Sequence, residues 1–351
     1  METKTIKIRN LRIGGGHPVV IQTMWKDKLA LNDLEDTIIR IQELESIGCA
    51  LLRFAVPDME SAKILGHLSA MVEMPLVADI HFDYKIALRC MDFPIAKIRI
   101  NPGNIGGKDK VKAVLEKASA CNIPIRIGVN AGSLPQDLRA MDTVEALVLA
   151  VERETAIFEE FGFTNYLVSM KASGIADTIS ASRILSKRVL APLHLGVTEA
   201  GPLTAGVARS TAALIPLLKE GIGDTIRVSL SDSMENEVIA GREIIRAASE
   251  LCENNRLKPC GVKIISCPRC GRHGFDTHIF TEKWRNKLYA VKKDITVAIM
   301  GCEVNGPEEA KDADIGITGA GDKVLIFRNG KIIKTTTIYE ADKIFEEELY
   351  K

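Results

Sequence analysis

Between Val19 and about Glu253 the chain repeats one pattern eight times. A short strand-like run is followed by an amphipathic stretch with apolar residues at helical spacing, which ends at or near a glycine. The runs are "VVIQT", "ALLRFAV", "LVADIHF", "AKIRIN", "IPIRIGVN", "NYLVSMKA", "LHLGVTEA" and "DTIRVSLS"; the helical stretches include "LNDLEDTIIRIQELESIG" and "TVEALVLAVERETAIFEEFG". Eight such pairs predict an α/β fold, a closed (β/α)8 TIM barrel. An open doubly wound sheet has fewer strands and a glycine fingerprint after the first, and this sequence has none.

The rhythm breaks at "ENNRLKPCG", where polar residues, a proline and a glycine gather. The expected boundary lies near residue 256, with the barrel at 1–256 and a small α+β domain at 257–351. That second part reads as a strand "VKIIS", a helix around Phe280–Leu288, a strand "ITVAIM" and a turn with a short helix, "GCEVNGPEEAKDA". Strands "DIGIT", "KVLIFRNG" and "KIIKTTT" and a terminal helix "ADKIFEEELYK" complete it.

Charge and composition narrow the function classes. Lys plus Arg and Asp plus Glu both number 46, and aromatics make up 5% of the chain, which argues against a nucleic-acid binder with a basic face. The start, "METKTIKIRN", has no apolar signal region, and no apolar run approaches the ~18–20 residues that span a bilayer. A cytoplasmic protein with reduced thiols is expected, and Cys49, Cys90, Cys121 and Cys252, which lie in or beside helical patterns, read as packing residues.

Side chains of a strand alternate between faces. In "KIRIN", Ile98 and Ile100 share one face while Arg99 and Asn101 share the other. In "PIRIGVN", Arg126, Gly128 and Asn130 alternate with apolar residues, and in "TIRVSLS" Arg227 and Ser229 do so. "ADIH" places Asp79 with His81, "LLRF" offers Arg53, "SMKAS" offers Lys171, and "LGVTEA" offers Thr198 and Glu199. With the apolar faces against the outer helices, Arg53, Arg99, Arg126, Lys171 and Arg227 converge on the barrel interior. Asp79 and Glu199 neutralise only part of that charge. Unpaired buried cations are costly, so a ligand with several negative charges is expected, and a diphosphate suits the planar fork of arginine. The glycine-rich "NPGNIGG" and "VNAGS" after the fourth and fifth strands read as backbone approaches to phosphate or as ordinary turns.

"CPRCG" presents Cys267 and Cys270 on one turn, which by itself suits a zinc knuckle, a thiol–disulfide site or an iron–sulfur site. A zinc ribbon needs a second Cys-x-x-Cys further on, and none follows. The next cysteine is Cys302. Three cysteines from two strand ends can bind three irons of a [4Fe–4S] cluster, with the fourth iron taking another ligand or open to substrate. His273 and Cys260 are rival ligands.

Seven motifs, in order, are "ADIHFDYKIAL", "IRINPGNIG", "IPIRIGVNAGSL", "PLHLGVTEAG", "EGIGDTIRVSL", "ISCPRCGR" and "MGCEVNGPEEA". From about Val19 to about Gly321 they resemble the 4-hydroxy-3-methylbut-2-enyl diphosphate synthases, iron–sulfur enzymes of the non-mevalonate isoprenoid pathway. The resemblance implies a barrel followed by a cluster domain, in a head-to-tail homodimer where the cluster of one subunit closes the barrel of its partner. It implies that Cys267, Cys270 and Cys302 ligate a [4Fe–4S] cluster and that Glu309, seven residues after the third cysteine, is the labile fourth ligand. The family turn reads Gly-Pro-Gly-Glu, so Glu308 here replaces a glycine. Near the first strand Gln-Ser-Met-Thr is replaced by "QTMW", which puts Trp25 near the pocket rim.

The implied substrate is 2-C-methyl-D-erythritol 2,4-cyclodiphosphate, held by the five cations with Ser229, Asn101 and Asn130. Thr198 stands beside Glu199, the first choice for proton handling, with His81 and Asp79 second; His194 reads as structural. Asn305 contacts substrate from the cluster side. Electrons come from reduced ferredoxin or flavodoxin. The rival reading is a pterin-synthase-like, phosphate-binding barrel enzyme with a structural zinc module.

Overall fold

The computed structural model describes residues 2–259, 261–271, 273–303 and 306–351. The chain divides into two compact units, Met1–Pro259 and Cys260–Lys351.

In the first unit, eight strands close into a parallel barrel: β3 (Val20–Met24), β4 (Leu51–Ala55), β5 (Leu76–Asp79), β6 (Lys97–Ile100), β7 (Ile125–Asn130), β8 (Tyr166–Lys171), β9 (Leu193–Leu195) and β10 (Thr225–Ile226), with β10 meeting β3. The helices between and after them are α1 (Leu34–Ser46), α2 (Met59–Met71), α3 (Tyr84–Cys90), the one-turn α4 (Pro102–Ile105), α5 (Lys108–Ala120), α6 (Thr143–Glu160), α7 (Ile175–Leu185), α8 (Leu203–Lys219) and α9 (Met234–Glu250). Leu52, Phe54, Ile98, Ile100, Ile125, Ile127 and Val168 are fully buried. They alternate with the charged positions, as strands sandwiched between helices and a barrel interior require.

The last two strands are much shorter than the runs "LHLGVTEA" and "DTIRVSLS" suggest. Arg227 and Ser229 lie past the end of β10, and Thr198 and Glu199 past β9. After β9, Glu199, with φ +53°, and Gly201, with φ +107°, adopt left-handed backbone as the chain turns towards α8.

Residues 6–13 form an element the periodicity did not reveal. Strands β1 (Ile6–Ile8) and β2 (Leu11–Ile13) pair as a hairpin. Its Ile6, Ile8 and Ile13 pack with Leu51, Val77, Ala96 and Leu167. These come from the starts of barrel strands, so the hairpin seals the floor and leaves the mouth at the carboxyl ends as the way in.

The second unit is a five-stranded sheet in the order β11 (Lys263–Ser266), β12 (Thr296–Met300), β13 (Ile315–Ala320), β14 (Lys323–Arg328), β15 (Lys331–Thr336), with α10 (Thr277–Ala290) and α11 (Ala341–Leu349). β11, β12 and β13 are parallel, and the remaining pairs are antiparallel. Phe280, Trp284 and Phe345 form its aromatic centre, with Trp284 edge-on to Phe345 at 5.0 Å between ring centroids. The Trp284 indole donates to Asp342 at 2.6 Å. Residues 306–312 are turns, where the sequence suggests a short helix.

Candidate active site

Strand register gathers the charges. In the parallel ladder Asp79 is beside Arg99, Arg99 beside Arg126, and Asn130 beside Lys171. Arg53, Arg99, Arg126 and Lys171 are all at least nine-tenths buried, and Arg227 is partly exposed. Two glycines make the packing possible. A Cβ on Gly128 would lie 2.4 Å from Arg99 Nε, and one on Gly196 would lie 2.6 Å from the Arg227 carbonyl and 3.0 Å from Lys171 Nζ.

Asp79 accepts from Arg99 at 3.0 Å and faces Arg53 Nε at 3.4 Å. Burial alone would raise its pKa, but Arg53 and Arg99 hold it below the usual carboxylate range. It stays ionised and orients the arginines, so the structure argues against Asp79 as a proton donor. The second acid is not Glu199, which is exposed and has no ion pair among the described residues. It is Glu237, from the first turn of α9, 1% exposed. Glu237 binds Arg227 at 3.2 Å, Lys26 at 3.1 Å and the Leu230 amide at 3.0 Å, besides the Thr23 hydroxyl.

Two acids do not balance the cations. Lys97, beneath Arg99 on the same face of β6, is fully buried and donates to Gln22 at 3.0 Å. Nε and Nη1 of Arg126 are buried without a hydrogen-bond partner. Burial, then repulsion from neighbouring arginines, pushes the pKa of Arg126, Lys171 and Lys97 well down. Such a set of donors is energetically incomplete, and a polyanion completes it.

Around this cluster sit Asn101, buried at the end of β6, the half-buried Asn130 and Ser229, and Thr198, whose hydroxyl is 3.5 Å from that of Ser173. His81 is exposed, its ring 6.0 Å from that of Phe82. Glu199 holds a left-handed backbone that is uncommon for a non-glycine residue, a kind of strain that gathers at functional sites. His194 is fully buried with Nδ1 2.7 Å from the Thr225 hydroxyl; burial and nearby cations keep its ring neutral, consistent with a structural role. Trp25 directly follows the carboxyl end of β3 and is buried. It stacks on Phe54 at 5.4 Å, with the Arg40 guanidinium 4.8 Å from its ring.

Sequence reasoning missed Lys97, Gln22 and Glu237. The alternation that identified Arg99 extends two residues back to Lys97, so that signal was present. Glu237 gave none, because an acid in a helix's first turn is the ordinary partner of the helix dipole.

In the second unit, β11 and β12 deliver the cysteines from their ends. Cys267, Cys270, His273, Gly301 and Cys302 line one cavity of about 180 Å³, which Glu309, exposed on the following turn, does not line. The Gly301 amide donates to Cys267 Sγ at 3.1 Å, and the Thr318 hydroxyl donates to the Cys302 carbonyl at 2.7 Å. His273 Nδ1 lies 2.6 Å from the Cys270 carbonyl, which turns that nitrogen away from ligation. No group of three or more His, Cys, Asp or Glu side chains converges tightly enough for a metal ion among the described residues. Three soft thiols around one cavity, with an amide aimed at one sulfur, still suit a sulfur-ligated cluster, which spreads its ligands over separate irons. Asn305 and Cys260 lie outside the described residues. Of the remaining cysteines, Cys49 and Cys90 are buried and their thiols are pushed up to about 12 by burial. Cys252 is half-buried, while Cys121 is exposed and so is not a core residue.

Residues 3–242 match the GcpE TIM-barrel domain family, and residues 263–351 match the GcpE protein C-terminal domain. A Treponema denticola protein named 4-hydroxy-3-methylbut-2-en-1-yl diphosphate synthase (flavodoxin) is 50% identical, over 98% of this chain and 92% of its own. The identically named Treponema pallidum protein is 48% identical, over 97% and 88%. Among solved structures, a Vibrio fischeri 7,8-dihydropteroate synthase aligns with TM-score 0.51 and 11% identity, over 72% of this chain and 99% of its own. A Xanthomonas albilineans dihydropteroate synthase aligns with TM-score 0.50 and 16% identity, over 70% and 98%. At those identities the likeness is one of barrel fold alone. No helix among the described residues is long and apolar enough to cross a membrane.

Proposed function

We infer that this chain, which belongs to the GcpE family, is an oxidoreductase that converts 2-C-methyl-D-erythritol 2,4-cyclodiphosphate to (E)-4-hydroxy-3-methylbut-2-enyl diphosphate in isoprenoid biosynthesis. Counted on neutral species, two electrons and two protons enter, the ring opens at a C–O bond, and one oxygen leaves as water. The pterin-synthase-like alternative loses its support, since near-full-length relatives carry the reductive name and the pterin enzymes share only the fold.

The observation that carries the reading is the buried cation set with unpaired donors at Arg126. Arg53, Arg99, Arg126, Lys171 and Arg227 bind the diphosphate, and Asn101, Asn130, Thr198 and Ser229 orient it. Negative charge grows on the phosphate oxygen as the ring opens. Cations already fixed by Asp79 and Glu237 stabilise that charge without reorganising. Glu199, exposed where the chain leaves β9, delivers a proton to the departing hydroxyl, with His81 as its alternate. Asn305 adds a substrate contact.

Cys267, Cys270 and Cys302 hold a [4Fe–4S] cluster, with Glu309 as the fourth ligand. When bound, the cluster supplies single electrons and a Lewis-acidic iron. A carboxylate exchanges more readily than a thiolate, which suits a position that must open. Reduced flavodoxin or ferredoxin is the electron source, a cytoplasmic setting keeps the thiols reduced, and a head-to-tail homodimer is the working form.

The test is anaerobic turnover of the cyclic diphosphate by the iron-loaded chain with reduced flavodoxin, product identified by mass. Formation of the hydroxybutenyl diphosphate is expected. A colourless protein with one zinc per chain and no turnover would sink the reading.

A further inference from the structure

Met24 is the last residue of β3, at the barrel mouth, and is half-buried. The parallel ladder sets it beside Arg53. Its thioether sulfur lies 2.8 Å from Arg53 Nη2 and 3.7 Å from Arg227 Nη1, so one neutral atom stands between two cations of the cluster. An acid holds each guanidinium from another side. Asp79 Oδ2 is 3.4 Å from Arg53 Nε. Glu237 accepts from Nε and Nη2 of Arg227 at 3.2 and 3.3 Å, which leaves Nη1 for the sulfur. A thioether is a weak acceptor and carries no charge. It occupies these donors without neutralising them, and a phosphate oxygen, a far stronger acceptor, displaces it readily.

We propose that Met24 is a modification site: oxidised to its sulfoxide by hydrogen peroxide, it bridges Arg53 and Arg227 and shuts the diphosphate out. The proposal rests on the reading of those arginines as diphosphate ligands and adds a control to the same pocket. In the step, one peroxide oxygen is transferred to sulfur as the O–O bond breaks. Sulfur loses two electrons, peroxide gains them, and the second oxygen leaves as water with both protons.

Oxidation makes the methionine side chain polar, with negative charge on the new oxygen. Two guanidiniums already directed at the sulfur donate charge-assisted hydrogen bonds to that oxygen, the same bonds a phosphate oxygen would take. Methionine sulfoxide reductases remove the oxygen, so the block is reversible. Met59, Met71 and Met141 are exposed and oxidise under the same conditions. Their oxidation, and any damage to an iron–sulfur centre, is common to the wild type and to Met24→Leu, so comparing those two proteins isolates Met24.

The experiment treats the full chain with hydrogen peroxide, locates added oxygen by peptide mass spectrometry and titrates the cyclic diphosphate calorimetrically. Wild-type affinity should fall about tenfold as Met24 sulfoxide accumulates, the worth of hydrogen bonds to charged groups redirected from the ligand, and should return after treatment with methionine sulfoxide reductases. Met24→Leu should keep the affinity it had before peroxide. Met24→Gln, whose uncharged amide oxygen stands in for the sulfoxide, should bind about tenfold more weakly than Met24→Leu without any peroxide. A second measurement needs no substrate. The sulfoxide bridge satisfies two arginines, so peroxide should raise the melting temperature of the unliganded wild type by roughly 2 °C relative to equally treated Met24→Leu. Full affinity with Met24 oxidised, an equal loss in Met24→Leu, or Met24→Gln binding as tightly as Met24→Leu overturns the proposal. So does a Met24 that stays reduced while the exposed methionines are converted. If the untreated wild type takes up no cyclic diphosphate, the reading of the pocket fails and the gating role with it; normal uptake with no melting difference overturns the bridge alone.

Discussion

In the barrel, ligand-seeking groups sit on strands whose neighbours fix them. Asp79 grips two arginines and Glu237 grips Arg227 and Lys26 before any substrate arrives. In the C-terminal unit, the cysteines sit on turns beyond strand ends, and Cys270 and Glu309 are exposed. The first region is preorganised and over-charged, so its ligand relieves existing stress. On the proposed cluster role, the second would take its final form from what binds, because metal binding supplies the energy that orders its ligands. Each region therefore should fail differently when altered.

The sharpest break comes from Cys267→Ser. Iron content should fall and turnover should drop beyond about a thousandfold, while calorimetric affinity for the cyclic diphosphate stays within about twofold, since barrel preorganisation needs no metal. Lost affinity would erase the contrast.

Next in size is Arg126→Met. Substrate affinity should fall by about two to three orders of magnitude, the usual effect of removing one side of a buried charged contact. The unliganded protein should melt no lower, because an unpaired buried cation is gone. A drop in melting temperature would show that Arg126 is structurally paired.

Asp79→Asn removes an anion between two arginines and should destabilise the unliganded barrel by about 3 kcal/mol, partly restored by saturating diphosphate in thermal unfolding. The pH dependence follows the same sign. Asp79 and Glu237 have depressed pKa values in the fold, so their stabilisation is present above the ordinary carboxylate range and lost as pH falls through the depressed values. Asp79→Asn should flatten that acid limb.

The smallest pair separates the two adjacent acids. Glu309→Gln should lower iron retention by roughly ten- to a hundredfold, and Glu308→Gly should change it less than about twofold, as an exposed residue away from function does. The reverse order would move the fourth ligand to Glu308.

The barrel was legible because its strand pattern is periodic, and the inward cations were legible because alternation leaves a charge at every second residue. Lys97 obeyed the same rule one step further down. Glu237 did not, because it lies on a helix and acts on elements away from it, Arg227 and Thr23. The hairpin at residues 6–13 escaped notice because three-residue strands are too short to show a period.

What the sequence determined by itself was order and face: eight strand–helix pairs, cations on one side of their strands, and cysteine spacing at two strand ends. These are properties of neighbours along the chain. Tertiary structure alone decided which acid balances which cation and which carboxyl stays ionised. Those outcomes depend on burial and on distances between residues far apart in the chain, and no local pattern encodes either.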